Sequence, residues 1–416
     1  MRRLPEYAFP RVQKPIGKAT SGNLNAMSGM DRPMKLSLRV YVLSVVLPAA
    51  VASCGVMKSQ AQTVTEIGGQ KIVTITRTAV SKTKPEFTSI TVLPGRGMEV
   101  FQITANFPGK GNVDVLASPS LEEAKKMLDE QDTPNGDLGY RLGSVFLFPY
   151  PNRIRGTLSS DGKTLTTSWQ GKTITLPANN MGKEAGAERH AMHGLILKAK
   201  TDDVKVKTIP GGKEVSGTIH GGDFNGHWLS KSDLVITISL TADAVDATVT
   251  AKNVGKEAEP VSIGWHPYFN FPSGDRTQAR LQVPADMVAK VDNYDNVFPT
   301  GELVPVSGQF DLRKGQPLYK NFYDDNWSKL NWENGVAEVN ILDEAAKYGV
   351  RIQGLSPEIK TIQAYAPPAK NFVAVEHQFN FADPFGKEWN GMDTGMVTLK
   401  PGASTKWHVR LKLFVP

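Results

Sequence analysis

Short segments in which apolar and polar side chains alternate recur along most of the chain from residue 70 onward. The pattern is clearest at Leu234–Leu240 (LVITISL), where leucine or isoleucine occupies every second position. A period of two is typical of a half-buried β-strand. A turn at Ala242–Asp246 and a second alternating segment at Ala247–Ala251 predict a hairpin. Comparable segments occur at Lys71–Thr78, Phe87–Leu93, Val100–Ala105 and Lys406–Val415.

The spacing of these segments predicts an all-β fold, a large antiparallel β-sandwich with few short helices. The 38 glycines and 27 prolines supply the many turns that such a fold requires. One helix is predicted from Ser120 to about Glu130, because Ser120 and Glu123 form a capping box. The length of 416 residues would allow two or three domains. No repeat or linker is apparent, so we predict one domain over residues 67–416, preceded by a tether over residues 54–66.

The net charge of the chain is concentrated at its beginning. Eight basic and two acidic residues within residues 1–53 account for +6 of the total +7, which leaves about +1 for the remainder. A nearly neutral domain has no electrostatic surface for a polyanion. We therefore expect no nucleic-acid partner.

The segment from Met34 has the features of an export signal. Lys35 and Arg39 precede an apolar stretch, Tyr41–Val51, that is short for a membrane-spanning helix. Small residues then lead to Cys54, the only cysteine of the chain, and this arrangement resembles a bacterial lipobox. The resemblance implies acylation of Cys54 and a lipid anchor in the bacterial cell envelope, at the outer membrane if the host has one.

Two alternatives remain open for this leader. It could be an ordinary secretory signal that is cleaved near Ala61, in which case Cys54 is incidental. Residues 1–33 have no apolar period, so they either precede the true start at Met34 or form a disordered extension.

Four segments in the body carry the chemical information. They are Leu147–Arg155 (LFPYPNRIR), Leu176–Gly194 with its final His-Gly, Ile263–Phe271 (IGWHPYFNF) and Val373–Gln378 (VAVEHQ). In this order they resemble the conserved segments of the aldose 1-epimerase, or galactose mutarotase, family, and Val397–Trp407 resembles the family's last segment. The resemblance extends from about residue 70 to the C-terminus. It implies an enzyme that interconverts the α and β anomers of a free hexose without a cofactor.

Anomer interconversion requires one group that takes the proton of the C1 hydroxyl and another that protonates the ring oxygen. On ring closure the two groups exchange roles. A carboxylate and an imidazole suit this pairing, because environment can tune both towards neutral pH. The resemblance implies that Glu376 is the base and His266 the acid, with His193 as a second imidazole near the ring oxygen.

The resemblance also implies residues that bind the hydroxyl groups of a monosaccharide. Arg153, with its neighbour Asn152, and Asp324 are the candidates. Asp325 competes with Asp324, because the segment around them matches the family only loosely. The chain departs from the family pattern at His377, where proline is common, and at Leu195, where a second glycine is common.

His190 and His193 have the spacing of two zinc ligands, so a metal site is an alternative for this segment. The body contains no cysteine to complete such a site, so we expect no metal. Three other functions compete with the epimerase: a non-catalytic carbohydrate-binding module of the same fold, an epimerase for phosphorylated hexoses, and a structural lipoprotein. A binding module does not need an acid/base pair, and an epimerase for phosphorylated hexoses needs clustered basic residues. A structural lipoprotein leaves the four segments unexplained.

Overall fold

The computed structural model describes residues 64–319 and 321–416. Residues 62–416 form one compact unit. The predicted leader, Cys54 and most of the predicted tether lie outside the described residues. Within the part of the chain that the structure describes, no helix is long and apolar enough to cross a membrane.

The described residues are organised mainly as β-strands. In chain order the strands are β1 Glu66–Ile67, β2 Gln70–Lys71, β3 Val73–Thr76, β4 Glu86–Leu93, β5 Glu99–Phe107, β6 Gly111–Asp114, β7 Ser144–Leu147, β8 Arg153–Ile154, β9 Thr157–Leu158, β10 Thr164–Trp169, β11 Lys172–Pro177, β12 Asn180–Met181, β13 Arg189–Met192, β14 Asp202–Ile209, β15 Gly212–Gly222, β16 Ser232–Thr241, β17 Val245–Asn253, β18 Glu259–Val261, β19 Gly264–Asn270, β20 Ala279–Gln282, β21 Ala285–Val291, β22 Pro299–Pro305, β23 Gln316–Pro317, β24 Asp324–Leu330, β25 Ala337–Asp343, β26 Tyr348–Gly354, β27 Thr361–Tyr365, β28 Phe372–Gln378, β29 Val397–Leu399 and β30 Ser404–Phe414.

Helical structure in the described residues is short. The α-helix is α1, Leu121–Lys125, and a π-turn follows it at Lys126–Glu130. Short 3-10 turns occur at Pro94–Arg96, Gly139–Arg141, Arg276–Gln278, Gly308–Phe310 and Lys387–Trp389. The predicted capping box is confirmed, since the Glu123 backbone N–H donates to the Ser120 hydroxyl and the Ser120 N–H donates to the Glu123 carboxylate. The predicted helix is correctly placed, but its second half is a π-turn.

Two large antiparallel sheets dominate the architecture, which confirms the predicted fold class. One has nine strands in the order β14-β15-β16-β17-β30-β26-β25-β20-β23, and the other has seven in the order β22-β21-β24-β27-β28-β19-β7. A four-stranded sheet, β3-β4-β5-β6, and several two- and three-stranded sheets complete the described part. The predicted hairpin is present as β16 and β17, where Leu234 pairs with Ala251.

The hydrophobic core draws on both large sheets. In the nine-stranded sheet Leu234, Ile236, Ile238 and Leu240 are fully buried, as their alternation predicts. They belong to one cluster with buried side chains of the seven-stranded sheet such as Trp327. The face of the seven-stranded sheet that carries Trp327 is thus buried in the core, and polar side chains can occupy its other face.

Candidate active site

The candidate base and acid lie on neighbouring strands of the seven-stranded sheet. Glu376 is on β28 and His266 is on β19, and these two strands are paired. His266 Nε2 lies 3.2 Å from Glu376 Oε1, although the two residues are far apart in the chain. Their side chains are 5% and 2% exposed. The sheet therefore brings the two predicted catalytic side chains into direct contact at the floor of the site.

The register of the sheet decides which side chains share a face with Glu376. Cross-strand partners lie on the same face, and positions two apart in a strand do so too. Glu376 pairs with Gln363, and Gln363 pairs with Asn326, so these three form one row. Asp324 pairs with Tyr365 in the next row, two positions along the strands. Asp324 is therefore on the face that carries Glu376.

Asp325 and His377 lie on the opposite face of the same strands. Asp325 pairs with Ala364 and accepts a hydrogen bond from the Tyr294 hydroxyl at 2.8 Å. His377 pairs with Ile362 and is buried. Of the two competing aspartates, only Asp324 shares a face of the sheet with Glu376. His377 does not displace the Glu376 carboxylate.

A closed ring of hydrogen bonds holds the predicted sugar-binding residues. Arg153 Nη2 donates to Asp324 Oδ2 at 3.0 Å, and Arg153 Nη1 donates to Asn152 Oδ1 at 2.9 Å. Asn152 Nδ2 donates to Gln363 Oε1 at 3.1 Å, and Gln363 Nε2 donates to Asp324 Oδ1 at 2.8 Å. The Arg153 and Asp324 side chains are 11% and 14% exposed. The ring fixes the positions of a guanidinium and a carboxylate, each of which keeps a small exposed fraction.

His193 reaches the site from a tight turn. Its φ is 63°, and Gly194 follows with a φ of 78°. The His193 N–H donates to Asn152 O, and the Leu195 N–H donates to Phe148 O. The His193 ring meets the His266 ring edge to face, with centroids 5.0 Å apart. Leu195 at the position of the family's second glycine therefore does not prevent the turn from bringing His193 to His266.

Aromatic side chains connect the floor of the site with the surface. The Tyr140 ring lies 4.8 Å from that of His193, and the Tyr268 ring lies 4.8 Å from that of His266. Tyr268 meets Phe372, and Phe372 lies near Tyr365. Tyr140, Phe372 and Tyr365 are half-buried, so this side of the Glu376–His266 pair leads towards solvent.

His190 is held by contacts of its own. Its Nδ1 lies 3.1 Å from Glu188 O, and its ring packs edge to face against Phe298. Within residues 64–319 and 321–416, no group of three His, Cys, Asp or Glu side chains is arranged to hold a metal ion. Burial lowers the pKa of His190 to about 4, with the positive charge of Arg153 as a further cause.

The sequence of the chain matches the model of a known protein family. The family model for aldose 1-epimerase matches residues 136–412, about two thirds of the chain. The chain belongs to the aldose 1-epimerase family. Galactose mutarotases of Homo sapiens and Pongo abelii are each 32% identical to it over 96 residues, which span 22% of this chain and 28% of the relative. The alignment thus covers little more than a quarter of these curated relatives.

Solved structures share the fold over most of the chain. A galactose mutarotase-like protein from Clostridium acetobutylicum superposes with a TM-score of 0.63 at 22% identity, covering 83% of this chain and 98% of that one. A putative aldose 1-epimerase from Escherichia coli K12 gives a TM-score of 0.59 at 18% identity, covering 83% and 100%. The galactose 1-epimerase from Lactobacillus acidophilus NCFM gives 0.59 at 17%, covering 83% and 99%. These similarities establish the galactose mutarotase-like fold.

Burial shifts the ionisation of the site in this member of the aldose 1-epimerase family. It raises the pKa of Glu376 well above its ordinary value, against the hydrogen bond that Gln378 Nε2 donates to Glu376 Oε2 at 2.7 Å. It lowers the pKa of His266 to about 4 and that of His193 well below its ordinary value. Each group is thereby driven towards its neutral form.

Two residues of the site were not anticipated from the sequence. Gln363 joins Asn152, Asn326 and Asp324, and it stands in β27 without any recognisable segment around it. Tyr140 precedes the first family-like segment and comes from the 3-10 turn Gly139–Arg141. The place of Gln363 in the site becomes visible only from the pairing of β24, β27 and β28. Tyr140 had a signal in the sequence, because it is an aromatic residue shortly before LFPYPNRIR.

Proposed function

We propose that this chain is an aldose 1-epimerase that interconverts the α and β anomers of a free hexose by general acid/base catalysis. The observation that carries the proposal is the 3.2 Å contact between Glu376 Oε1 and His266 Nε2 on the face that also carries Asp324. A carboxylate and an imidazole within reach of the same two oxygen atoms are what ring opening needs.

In the proposed reaction, Glu376 takes the proton of the C1 hydroxyl. The O1 electrons form the C1=O1 double bond, the C1–O5 bond breaks, and O5 receives a proton from His266. Rotation about C1–C2 turns the aldehyde. Ring closure then reverses each transfer: O5 returns its proton to His266 and attacks C1, while O1 takes the proton from Glu376. The protein ends with the proton count with which it began.

Ring opening requires the charged forms of Glu376 and His266. The reaction needs one proton on the Glu376–His266 pair, held by His266 at the start. In the absence of a sugar, burial favours the neutral form of each group. A sugar that brings its C1 hydroxyl and ring oxygen to the two groups supplies the hydrogen bonds that stabilise the charged forms. Positioned acid/base groups contribute about 10²–10⁴-fold each.

The remaining residues would orient the sugar. Arg153 and Asn152 donate, and Asp324 accepts, hydrogen bonds with hydroxyl groups, while His193 lies beside His266 near the ring oxygen. Nothing in this sequence of steps requires a cofactor or a metal.

A free hexose is favoured over a phosphorylated one. The Arg153 guanidinium is paired with Asp324 at 3.0 Å, so the carboxylate beside it opposes the binding of a phosphate at this position. A pure binding module is disfavoured because sugar binding does not require a buried carboxylate in contact with an imidazole.

The test is the polarimetric equilibration of freshly dissolved α-D-glucose or α-D-galactose. The purified protein should accelerate it, and Glu376→Gln and His266→Ala should each lose most of the acceleration while their circular dichroism is unchanged. His408→Ala is the matched control, because His408 pairs with Asp246 away from the site. Sugar binding without acceleration by the wild-type protein would identify a binding module instead.

We also propose that Cys54 is acylated and anchors the protein to the bacterial cell envelope. The proposal rests on the lipobox-like sequence before Cys54. Expression in a bacterial host with radiolabelled palmitate tests it: the wild-type chain should incorporate label and partition into detergent, and Cys54→Ser should do neither. Incorporation by Cys54→Ser would contradict the proposal.

A further inference from the structure

A second cavity lies beside the turn that carries His193. Its volume is about 440 Å³, within the range of roughly 300–1,000 Å³ that is common for small-molecule sites. Gly194 and Leu195 contribute to its wall, but Glu376, His266 and His193 are not among the residues that line it. The cavity is therefore separate from the candidate active site, although both adjoin the same turn.

The phenol of Tyr150 forms part of this cavity and has an unused hydroxyl. Tyr150 is 1% exposed, and its ring stacks on that of Trp228 with centroids 5.9 Å apart. The hydroxyl has no hydrogen-bond partner among the described residues. Burial raises the pKa of this hydroxyl well above its ordinary value, so it remains a donor at neutral pH. The Tyr150 hydroxyl is therefore free to donate a hydrogen bond to a ligand in the cavity.

Other lining residues add acceptors, donors and an apolar surface. His227 Nδ1 lies 2.9 Å from Thr175 O, and this contact requires the proton on Nδ1. His227 Nε2 is then an acceptor. Lys200 and Asn225 are exposed donors at the rim. The nearly buried Phe224 ring completes the wall. Mixed donors and acceptors beside aromatic faces match a polyhydroxylated ring, whose C–H face is apolar and whose hydroxyls both donate and accept.

The charges of the cavity do not select an anion. Lys198 Nζ donates to Thr133 O at 3.1 Å, and His220 pairs with Asp233 at 3.0 Å. Asp202 adds a negative charge to the same wall. Lys198, Lys200 and Asp202 thus give the wall charges of both signs, and a neutral sugar can hydrogen-bond with each of them without supplying a counter-charge.

We propose that this cavity is a second, non-catalytic carbohydrate site that binds a neutral pyranose through Tyr150, His227 and the Phe224 ring. The site stands on its own contacts and does not require the catalytic proposal to be correct. It gives the protein two sugar-binding positions per chain.

Saturation-transfer difference NMR with D-galactose tests the proposal on the full chain. The first variant is Arg153→Ala with Glu376→Gln, which removes two sugar ligands from the candidate active site. Saturation transfer should persist in it at about half of the wild-type level. Adding Tyr150→Phe and His227→Ala should abolish the remaining signal, although Tyr150→Phe keeps the ring that stacks on Trp228. Adding His408→Ala instead should leave the signal unchanged.

The NMR results test sugar binding at the second site, and polarimetry tests catalysis separately. Loss of all saturation transfer in the first variant would overturn the proposal, and so would a signal that survives Tyr150→Phe and His227→Ala. Thermal unfolding of each variant excludes loss of signal through loss of fold. Tyr150→Phe with His227→Ala alone should retain the polarimetric activity. Failure of the wild-type protein to accelerate mutarotation would refute the catalytic proposal and leave this binding result intact.

Discussion

Buried His377 should make the fold sensitive to mild acid. His377 follows Glu376 on β28 but faces the core, where it is 1% exposed. Burial lowers its pKa from 6.5 to about 4. Between these values the unfolded chain binds a proton and the folded chain does not, so stability falls as pH decreases from about 6.5 and continues to fall until about 4. From pH 7 to pH 5 this amounts to about 2 kcal/mol.

Replacement of His377 by leucine, an apolar residue of similar size, should remove this contribution. Urea denaturation at pH 7 and pH 5, at constant ionic strength, measures the loss of unfolding free energy for each protein. The wild-type protein should lose about 2 kcal/mol more than His377→Leu. Other buried histidines contribute equally to both proteins and cancel in this difference.

The matched control is His220→Leu. His220 is exposed, and its hydrogen bond to Asp233 raises its pKa, so its contribution to the pH dependence has the opposite sign. This variant should show no relief of acid sensitivity. Equal losses for wild type and His377→Leu between pH 7 and pH 5 would refute the argument from burial.

Two further substitutions test the geometry around the site. Gln363→Leu leaves Asn152 Nδ2 and Asp324 Oδ1 without their partner, so we expect a destabilisation of about 2–4 kcal/mol in urea and a higher KM for the sugar. An unchanged KM would contradict the role of the ring. Gly194→Ala places a Cβ against Phe148 O at a φ of 78°. We therefore expect kcat to fall at least tenfold and the free energy of unfolding to fall by about 1–3 kcal/mol. A fully active variant of unchanged stability would contradict the need for this turn.

Much of the fold follows from local patterns. The alternation at Leu234–Leu240 is sufficient to predict β16, because its apolar positions are the ones that are buried. The capping box at Ser120 and Glu123 marks the start of α1 for a similarly local reason. The change from α-helix to π-turn after Lys125 has no such local signal, since it concerns how the segment packs.

Which residues belong to the site could not be predicted from local sequence patterns alone. The choice between Asp324 and Asp325 depends on the pairing of β24 with β27, a contact between segments some 40 residues apart. Alternation along β28 does predict that Glu376 and His377 face opposite ways, but not which face meets the core. Gln363 has a role only because three distant polar side chains converge on it. The register of the sheet, rather than any motif, assembles the site.

The central claim is that Glu376 and His266 exchange protons with the C1 hydroxyl and ring oxygen of a hexose. Two-dimensional exchange NMR of D-galactose at anomeric equilibrium tests it directly, because cross-peaks between the α and β H1 resonances report interconversion in place. We expect strong cross-peaks with wild-type protein and with His408→Ala, and none above the spontaneous rate with Glu376→Gln. Cross-peaks of wild-type intensity with Glu376→Gln would contradict it.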